Sequence, residues 1–293
     1  MSGAAIPAGI KSRTIAVRNS TLHYLETGAG APIVFLHGNP TSSYLWRHVI
    51  PYVAPHGRCL AVDLIGMGRS GKPPLAYRFV DHRAYIDAFI DALGLEGITF
   101  VLHDWGVALG LHYLSRFPER VRALAFMEGH LHPIARWDDF DAGGRELFQT
   151  LRTAEVGRRM IIDENFFVEQ VLPSGIRRTL TAAELDAYRA PYREPRSREP
   201  LWRWVQEIPI AGQPADVAAI VRDNQATLAA SPLPKLLCYA TPGATIGAAE
   251  VAWCRDHLSN LTAIDLGPGG HFLPEDYPHE IGAGTAGWLA SLD

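Results

Sequence analysis

The sequence predicts an α/β fold, a mostly parallel central sheet flanked by helices. Three observations carry that prediction. Short apolar runs rich in β-branched residues alternate with longer stretches of helical spacing, as buried parallel strands and their crossover helices do. Residues able to do chemistry follow the ends of those runs, which is where ligands sit in such folds. Finally, the run Ile98 to Leu102 passes through His103-Asp104-Trp105-Gly106 into an amphipathic stretch that stops at Pro118. Asp104 therefore stands on a tight turn from strand to helix, with the next backbone N–H groups aimed at whatever binds there.

The elements follow in order. Ile10 to Val17 and Thr21 to Glu26 partly alternate, with Asn19-Ser20 between them, which predicts an antiparallel hairpin at a sheet edge. Pro32 to Leu36 reads as a buried strand. His37-Gly38-Asn39-Pro40-Thr41-Ser42-Ser43 follows it, then a helix carrying Tyr44, Leu45, Trp46, Val49 and Ile50. Cys59 to Leu64 is the next strand. Behind it, Gly66, Gly68 and Gly71 spell G-x-G-x-x-G, and Gly66 to Lys72 imitates a P-loop. Both phosphate motifs need a helix to open at once. Pro73-Pro74 argues against one, and Pro73 stands where a P-loop needs Ser or Thr. A plain glycine-rich turn is expected. Phe79 to Leu93 has helical spacing, with Gly94 to close it. After the Asp104 turn and its helix, Val121 to Met127 is another buried strand, ending in Glu128-Gly129.

From about His130 to Gly212 the strand–helix alternation disappears and charge density rises. Helical patterns occur at Gly144 to Leu151, Thr153 to Met160 and Ala182 to Tyr188. The domain reading is a core of residues 1–129 and 213–293 with a helical insertion, 130–212, lying over the sheet. The sheet resumes with Lys235 to Ala240, a helix from about Ala248 to Leu258, and Leu261 to Leu266. Gly267-Pro268-Gly269-Gly270-His271 is a loop, and Pro278 to Leu292 is the last helix.

Composition excludes several functions. The chain has 293 residues, 47% of them apolar, enough for a sizeable core. The net charge of −4, without a basic block, argues against nucleic acid or an anionic membrane as partner. Cys59, Cys238 and Cys254 are far apart and form no C-x-x-C pair, as expected of buried reduced thiols. Met1 to Gly9 lacks a basic region and a long apolar run, so no signal peptide is expected. No stretch is long enough to span a membrane, and a cytoplasmic location is the default.

The plainest role for Asp at a helix start is an N-cap. The neighbouring motifs offer another. A carboxylate nucleophile, a histidine base and an acid that orients the histidine form a triad in the general sense, and Asp104, Glu128 and His271 all follow strands and are expected to converge on one edge of the sheet. Alone, His271 is one of twelve histidines and Glu128 a strand-end charge. A carboxylate that attacks saturated carbon forms an ester, which water activated by His271 must then cleave. A departing halide needs N–H donors and no proton. Trp105 offers an indole N–H and Asn39 an amide NH₂. An epoxide would leave as an alkoxide and want a proton, for which Tyr188 and Tyr192 in the insertion are candidates. His130 and His132, at i, i+2 without a carboxylate motif, are a weak metal pattern.

His37-Gly38-Asn39-Pro40-Thr41-Ser42, Asp63-Leu64-Ile65-Gly66-Met67-Gly68-Arg69-Ser70, His103-Asp104-Trp105-Gly106, Phe126-Met127-Glu128 and Gly267-Pro268-Gly269-Gly270-His271-Phe272 together resemble a haloalkane dehalogenase of the α/β-hydrolase fold. The resemblance covers nearly the whole chain. His-Asp-Trp-Gly is shared with epoxide hydrolases, but those usually carry an aromatic residue at the Asn39 position. By resemblance, Asp104 is the nucleophile, His271 the base and Glu128 the acid. Asn39 and Trp105 are the halide donors, and their backbone N–H groups form the oxyanion hole. The resemblance implies no cofactor or metal, a small halogenated alkane, water and halide as partners, and a monomer or weak homo-oligomer. Some branches take the acid from the strand after the insertion. Here Ala240 to Gly247 holds no carboxylate before Glu250, which favours the branch using Glu128. Gly129-His130-Leu131-His132 departs from the bulky apolar residues and Arg often found there, and is expected to alter packing near Glu128 or the pocket wall. Candidate pocket-lining residues are Phe148, Phe166, Phe167, Leu172, Val205, Ile246 and Phe272. Rival readings are an epoxide hydrolase, a ligand-binding relative and a luciferase-like oxygenase.

Overall fold

A computed structural model describes residues 5–140 and 142–292. Met1 to Ala4, part of the stretch read as lacking a signal peptide, lie outside the described residues, as do Asp141 and Asp293. Eight strands form one sheet: β1 (Lys11–Val17), β2 (Ser20–Thr27), β3 (Pro32–Leu36), β4 (Arg58–Val62), β5 (Ile98–His103), β6 (Val121–Met127), β7 (Lys235–Pro242) and β8 (Leu261–Gly269), in the order 1-2-4-3-5-6-7-8. The β1–β2 and β2–β4 pairs are antiparallel and the remaining pairs are parallel. β3 has β4 on one side and β5 on the other, so sheet growth reverses there. Asn39 follows β3 and Asp104 follows β5, which puts both at the switch point.

The all-apolar strands bury both faces. Val34, Leu36, Leu60, Val62, Phe100 and Leu102 point into one core with Trp105 and Val107. Ile33, Phe35, Cys59, Ala61 and Val101 point into a second, closed by Ile281, Trp288 and Leu289. The longer helices are α1 (Phe79–Ala92), α2 (Trp105–Arg116), α3 (Ala142–Leu151), α4 (Val156–Ile162), α5 (Ala182–Arg189), α6 (Glu199–Glu207), α7 (Ala215–Ala230), α8 (Ala248–His257) and α9 (Pro278–Ala290). α3 to α7 lie in sequence between β6 and β7. All three cysteines are buried and free. Among the described residues no helix is long and apolar enough to cross a membrane.

Several expectations need correction. The hairpin turn is Arg18-Asn19, because Ser20 already pairs with Val17, and Arg18 takes the positive φ of 52° that a two-residue turn requires. The helix expected from Tyr44 to Ile50 is broken into a 3₁₀ turn, Ser43–Trp46, and a single α turn, Ile50–Val53. Pro51 explains this, since its missing N–H is harmless in a first turn but not inside a longer helix. The pattern at Thr153 to Met160 becomes α4 from Val156, with the Thr153 hydroxyl accepting the Gly157 N–H at 2.9 Å. α7 falls in a stretch for which no element was expected. It packs on α2, where the Asn224 amide donates to Ala108 O at 2.9 Å.

Arg178 and Glu184, which lie in sequence between β6 and β7, are fastened to Arg47 and Glu275 by a buried ion cluster. Arg47, which is 0% exposed, donates to both Glu275 oxygens (2.5 and 3.0 Å) and to Glu184 at 2.9 Å. Arg178 in turn donates to Glu184 (2.8 and 3.0 Å) and to Glu275. Each buried charge has opposite charges around it, without which burial would cost several kcal/mol.

Candidate active site

Asp104 closes β5 in a backbone conformation (φ 53°, ψ −126°) that side chains other than glycine rarely adopt. An ordinary N-cap is extended and bonds two or three residues ahead. Asp104 Oδ1 instead accepts from the next N–H, that of Trp105, and from the Asn39 N–H at 3.3 Å. Two glycines make room: a Cβ on Gly106 would strike the Leu36 carbonyl, and one on Gly38 would land on the Asp104 carboxylate. His37 steadies the β3 end. Its Nδ1–H donates to Gly38 O at 2.8 Å, and its Nε2 accepts the Leu64 N–H at 3.0 Å.

His271 Nε2 lies 2.8 Å from Asp104 Oδ2, and Nδ1 lies 3.4 Å from Glu128 Oε2. Glu128 is completely buried at the end of β6, also at positive φ (43°), and its carbonyl accepts the Asp104 N–H at 3.0 Å. Its Oε2 further accepts the N–H groups of Ala244 (3.0 Å) and Thr245 (2.9 Å) and the Thr245 hydroxyl (3.2 Å). The loop that carries no carboxylate thus serves as the cradle for one. The His271 backbone is fixed twice. His103 Nε2–H donates to His271 O at 2.8 Å, and the N–H groups of His271 and Phe272 both reach Gly175 O (3.2 and 3.1 Å).

The electrostatics follow from this geometry. Burial alone would raise the Asp104 carboxyl, but the hydrogen bond and charge of His271 hold it down at about 2. Burial disfavours the His271 imidazolium, yet the two flanking carboxylates prevail and lift it to about 9. Burial keeps His103 neutral, at about 3. Asp104 and His271 therefore rest as an ion pair at neutral pH.

Asn39 and Trp105 are 4% and 2% exposed. The Asn39 Nδ2 donates to Leu201 O at 3.1 Å. Trp105 stacks on Trp204 with ring centroids 4.5 Å apart, and His130 meets it edge-on at 5.7 Å. The unusual Gly129-to-His132 stretch therefore packs its His130 ring against Trp105. His132 pairs instead with Glu250 at 3.2 Å, and both histidines line a cleft of about 310 Å³ beside the Glu128 cradle. Among the described residues no group of three or more His, Cys, Asp or Glu could hold a metal ion. Lys72 donates back to Gly66 O at 2.5 Å, so the P-loop look-alike is a closed turn, with α1 beginning only at Phe79.

Of the apolar candidates, Phe272 touches the His271 ring (centroids 4.8 Å). Phe167, Leu172, Val205 and Ile246 are buried in the same core as Trp105. Phe148 and Phe166 are half-buried against it, and the ring partner of Phe148 is Phe140. Tyr188 donates to Glu275, and the Tyr192 ring lies under Lys72 at 5.3 Å. Sequence reasoning missed the residues that hold the site from behind: His103, Gly175, Leu201, Trp204, Ala244 and Thr245. Most act through backbone atoms, which leave no mark on a sequence.

A family model described as the alpha/beta hydrolase fold matches residues 31–168. A haloalkane dehalogenase of Mesorhizobium japonicum is 49% identical over 285 residues, covering 96% of this chain and 92% of its own. The chain belongs to the haloalkane dehalogenase family. It is accordingly a dehalogenase, a hydrolase acting on carbon–halide bonds. The dehalogenase of Sphingobium indicum is 45% identical, covering 100% of this chain and 99% of its own. Among solved structures, haloalkane dehalogenase DbeA from Bradyrhizobium elkani has a TM-score of 0.94 at 49% identity, with 97% of this chain and 98% of that one covered. The dehalogenase DatA from Agrobacterium tumefaciens has a TM-score of 0.93 at 36% identity, with 99% of each chain covered. The α/β-hydrolase fold read from the sequence is therefore the fold of this dehalogenase.

Proposed function

We propose that the enzyme converts a small haloalkane to a primary alcohol and halide in two displacements. Asp104 Oδ2 attacks the halogen-bearing carbon, and the carbon–halogen bonding pair leaves with the halide toward the Asn39 amide and Trp105 indole N–H groups. His271 then takes a proton from water, which attacks the Asp104 carboxyl carbon. The negative charge on Oδ1 is met by the Asn39 and Trp105 N–H groups; collapse breaks the bond from the carboxyl carbon to the alkyl oxygen, which takes up the hydroxyl proton, and so returns the Asp104 carboxylate, the alcohol and a protonated His271. The observation that carries this reading is the division of labour on Asp104. Oδ1 is taken by two backbone donors and Oδ2 faces His271.

The resting ion pair fits the two steps. While Asp104 is charged, His271 is held protonated. Alkylation removes that charge and lowers the basicity of the imidazole, so His271 releases its proton to solvent and can then take one from water. Residues 130–212 serve as the cap over this site and 1–129 with 213–293 as the catalytic core. An epoxide hydrolase reading is not favoured, since the relatives are haloalkane dehalogenases and Tyr188 is committed to Glu275 rather than free to protonate an alkoxide. The test is halide release from brominated alkanes, with mass spectrometry of His271→Phe. That variant should keep the first step and accumulate the alkyl-enzyme. Halide release without any added protein mass would refute the covalent scheme.

A further inference from the structure

The two side chains assigned to halide binding are both held by one helix, α6. The carbonyl of Leu201 accepts the Asn39 amide at 3.1 Å, while Asn39 Oδ1 is buried with no partner among the described residues. Turned over, the amide would set its oxygen against the Leu201 carbonyl oxygen, so this one bond decides which end of Asn39 is which. One turn further on, Trp204 lies flat on Trp105, at 4.5 Å between centroids and 23° between planes. The Trp204 ring is itself fixed. His82 stacks on it at 4.2 Å and 21°, and its own N–H points at Met67 Sδ at 3.3 Å. Leu201 and Trp204 are three residues apart and so share a face of the helix.

α6 is also fastened at both ends. Glu199 accepts from Arg158 at 2.8 Å. Glu207 accepts the Phe79 N–H at 2.9 Å and Arg78 Nε at 3.0 Å. Arg152 donates to the carbonyls of Val205 (3.0 Å) and Ile208 (2.8 Å), which the end of the helix leaves open. A halide is a sphere and contributes no directionality, so the strength of its hydrogen bonds depends on the aim of the two N–H groups.

We propose that α6 is the positioning element of the halide site: the Leu201 carbonyl orients the Asn39 amide, and Trp204 sets the plane of the Trp105 indole. Leu201 and Trp204 are positioning residues that act through the two donors, and the inference rests on the reading of those donors given above. It predicts that disturbing α6 weakens halide binding and the alkylation step while leaving ester hydrolysis, which needs no halide, nearly unchanged.

The test compares Trp204→Leu, Trp204→Phe and Glu207→Gln with the unaltered enzyme. The readouts are bromide inhibition of turnover, the single-turnover alkylation rate, and the hydrolysis rate of the alkyl-enzyme. Trp204→Leu should weaken bromide inhibition and slow alkylation, each about three- to tenfold, the range an aromatic pair commonly contributes. Its ester hydrolysis should stay within about twofold. Trp204→Phe keeps a flat ring and should recover most of both losses. Glu207→Gln loosens only a remote fastening and should shift bromide inhibition the same way by less. It decides the matter with Trp204→Phe if Trp204→Leu does not fold. Unchanged bromide inhibition in the folded variants, or alkylation and hydrolysis falling together, overturns the proposal. An unaltered enzyme that neither releases halide nor responds to bromide would instead overturn the reading beneath it.

Discussion

Glu128→Gln isolates the charge of the buried acid. The amide has the shape of the carboxylate, so its oxygen can still accept from Ala244, Thr245 and His271, and its nitrogen replaces Oε1, which has no partner among the described residues. In the proposed scheme, once Asp104 is esterified, Glu128 is the remaining triad charge facing the imidazolium that forms as water is deprotonated. At the observed 3.4 Å and an effective dielectric of about 20, that charge stabilises the imidazolium by at most about 5 kcal/mol. Since the contact is longer than an ideal hydrogen bond, about 3–4 kcal/mol is the better figure, or roughly 10²- to 10³-fold in rate. Alkylation needs no imidazolium to form and should slow far less. Rapid-quench mass spectrometry with a bromoalkane should therefore show the alkyl-enzyme accumulating in Glu128→Gln but not in the unaltered enzyme. A fall of alkylation equal to that of hydrolysis, or a hydrolysis change below about tenfold, would refute this account of Glu128.

Three further outcomes are expected. Asn39→Ala should lower the alkylation rate by roughly 10²–10³, the loss seen for one oxyanion-type donor, and should abolish bromide inhibition, both read in single-turnover kinetics. Thr245→Val deletes the hydroxyl bond to Glu128 but keeps the N–H bond, and should destabilise the protein by roughly 1.5–3 kcal/mol in denaturant unfolding. His82 is fully buried, and burial lowers it to about 3, so the fold holds it neutral while the unfolded chain takes up a proton below about 6.5. Its contribution to stability is complete above that pH and is lost on acidification. Between pH 6 and 4, His82→Leu should show a shallower fall of unfolding free energy, by about 1.4 kcal/mol per pH unit, and equal slopes would contradict the assignment.

The strand-to-helix turn at Asp104 was legible because three signals agreed there: a β-branched run, an amphipathic run and a break at Pro118. β3, with its five apolar residues, has the same bounds in sequence and structure. Asp104, His271 and Glu128 could be chosen because each follows a strand, and topology then brings strand ends to one edge. What stayed hidden were features without side-chain periodicity. α7 is rich in alanine, so its helical face carries little apolar contrast. The break between Trp46 and Ile50 depends on one proline whose position relative to the first turn decides its effect. The Glu128 cradle uses the backbone of Ala244 and Thr245, and nothing in those letters says that their N–H groups point at an acid.

Asp104 and Glu128 end adjacent strands, share a 3.0 Å backbone hydrogen bond, and both occupy the left-handed half of conformational space. Such corners cost of order 1–3 kcal/mol each, and glycine would relieve them. With the roles proposed for Asp104 and Glu128, reactivity and durability compete at the same two positions. On that reading, gains in thermostability for this scaffold come from elsewhere, such as its loops and exposed surface, because glycine at these corners would remove the nucleophile or the acid along with the strain.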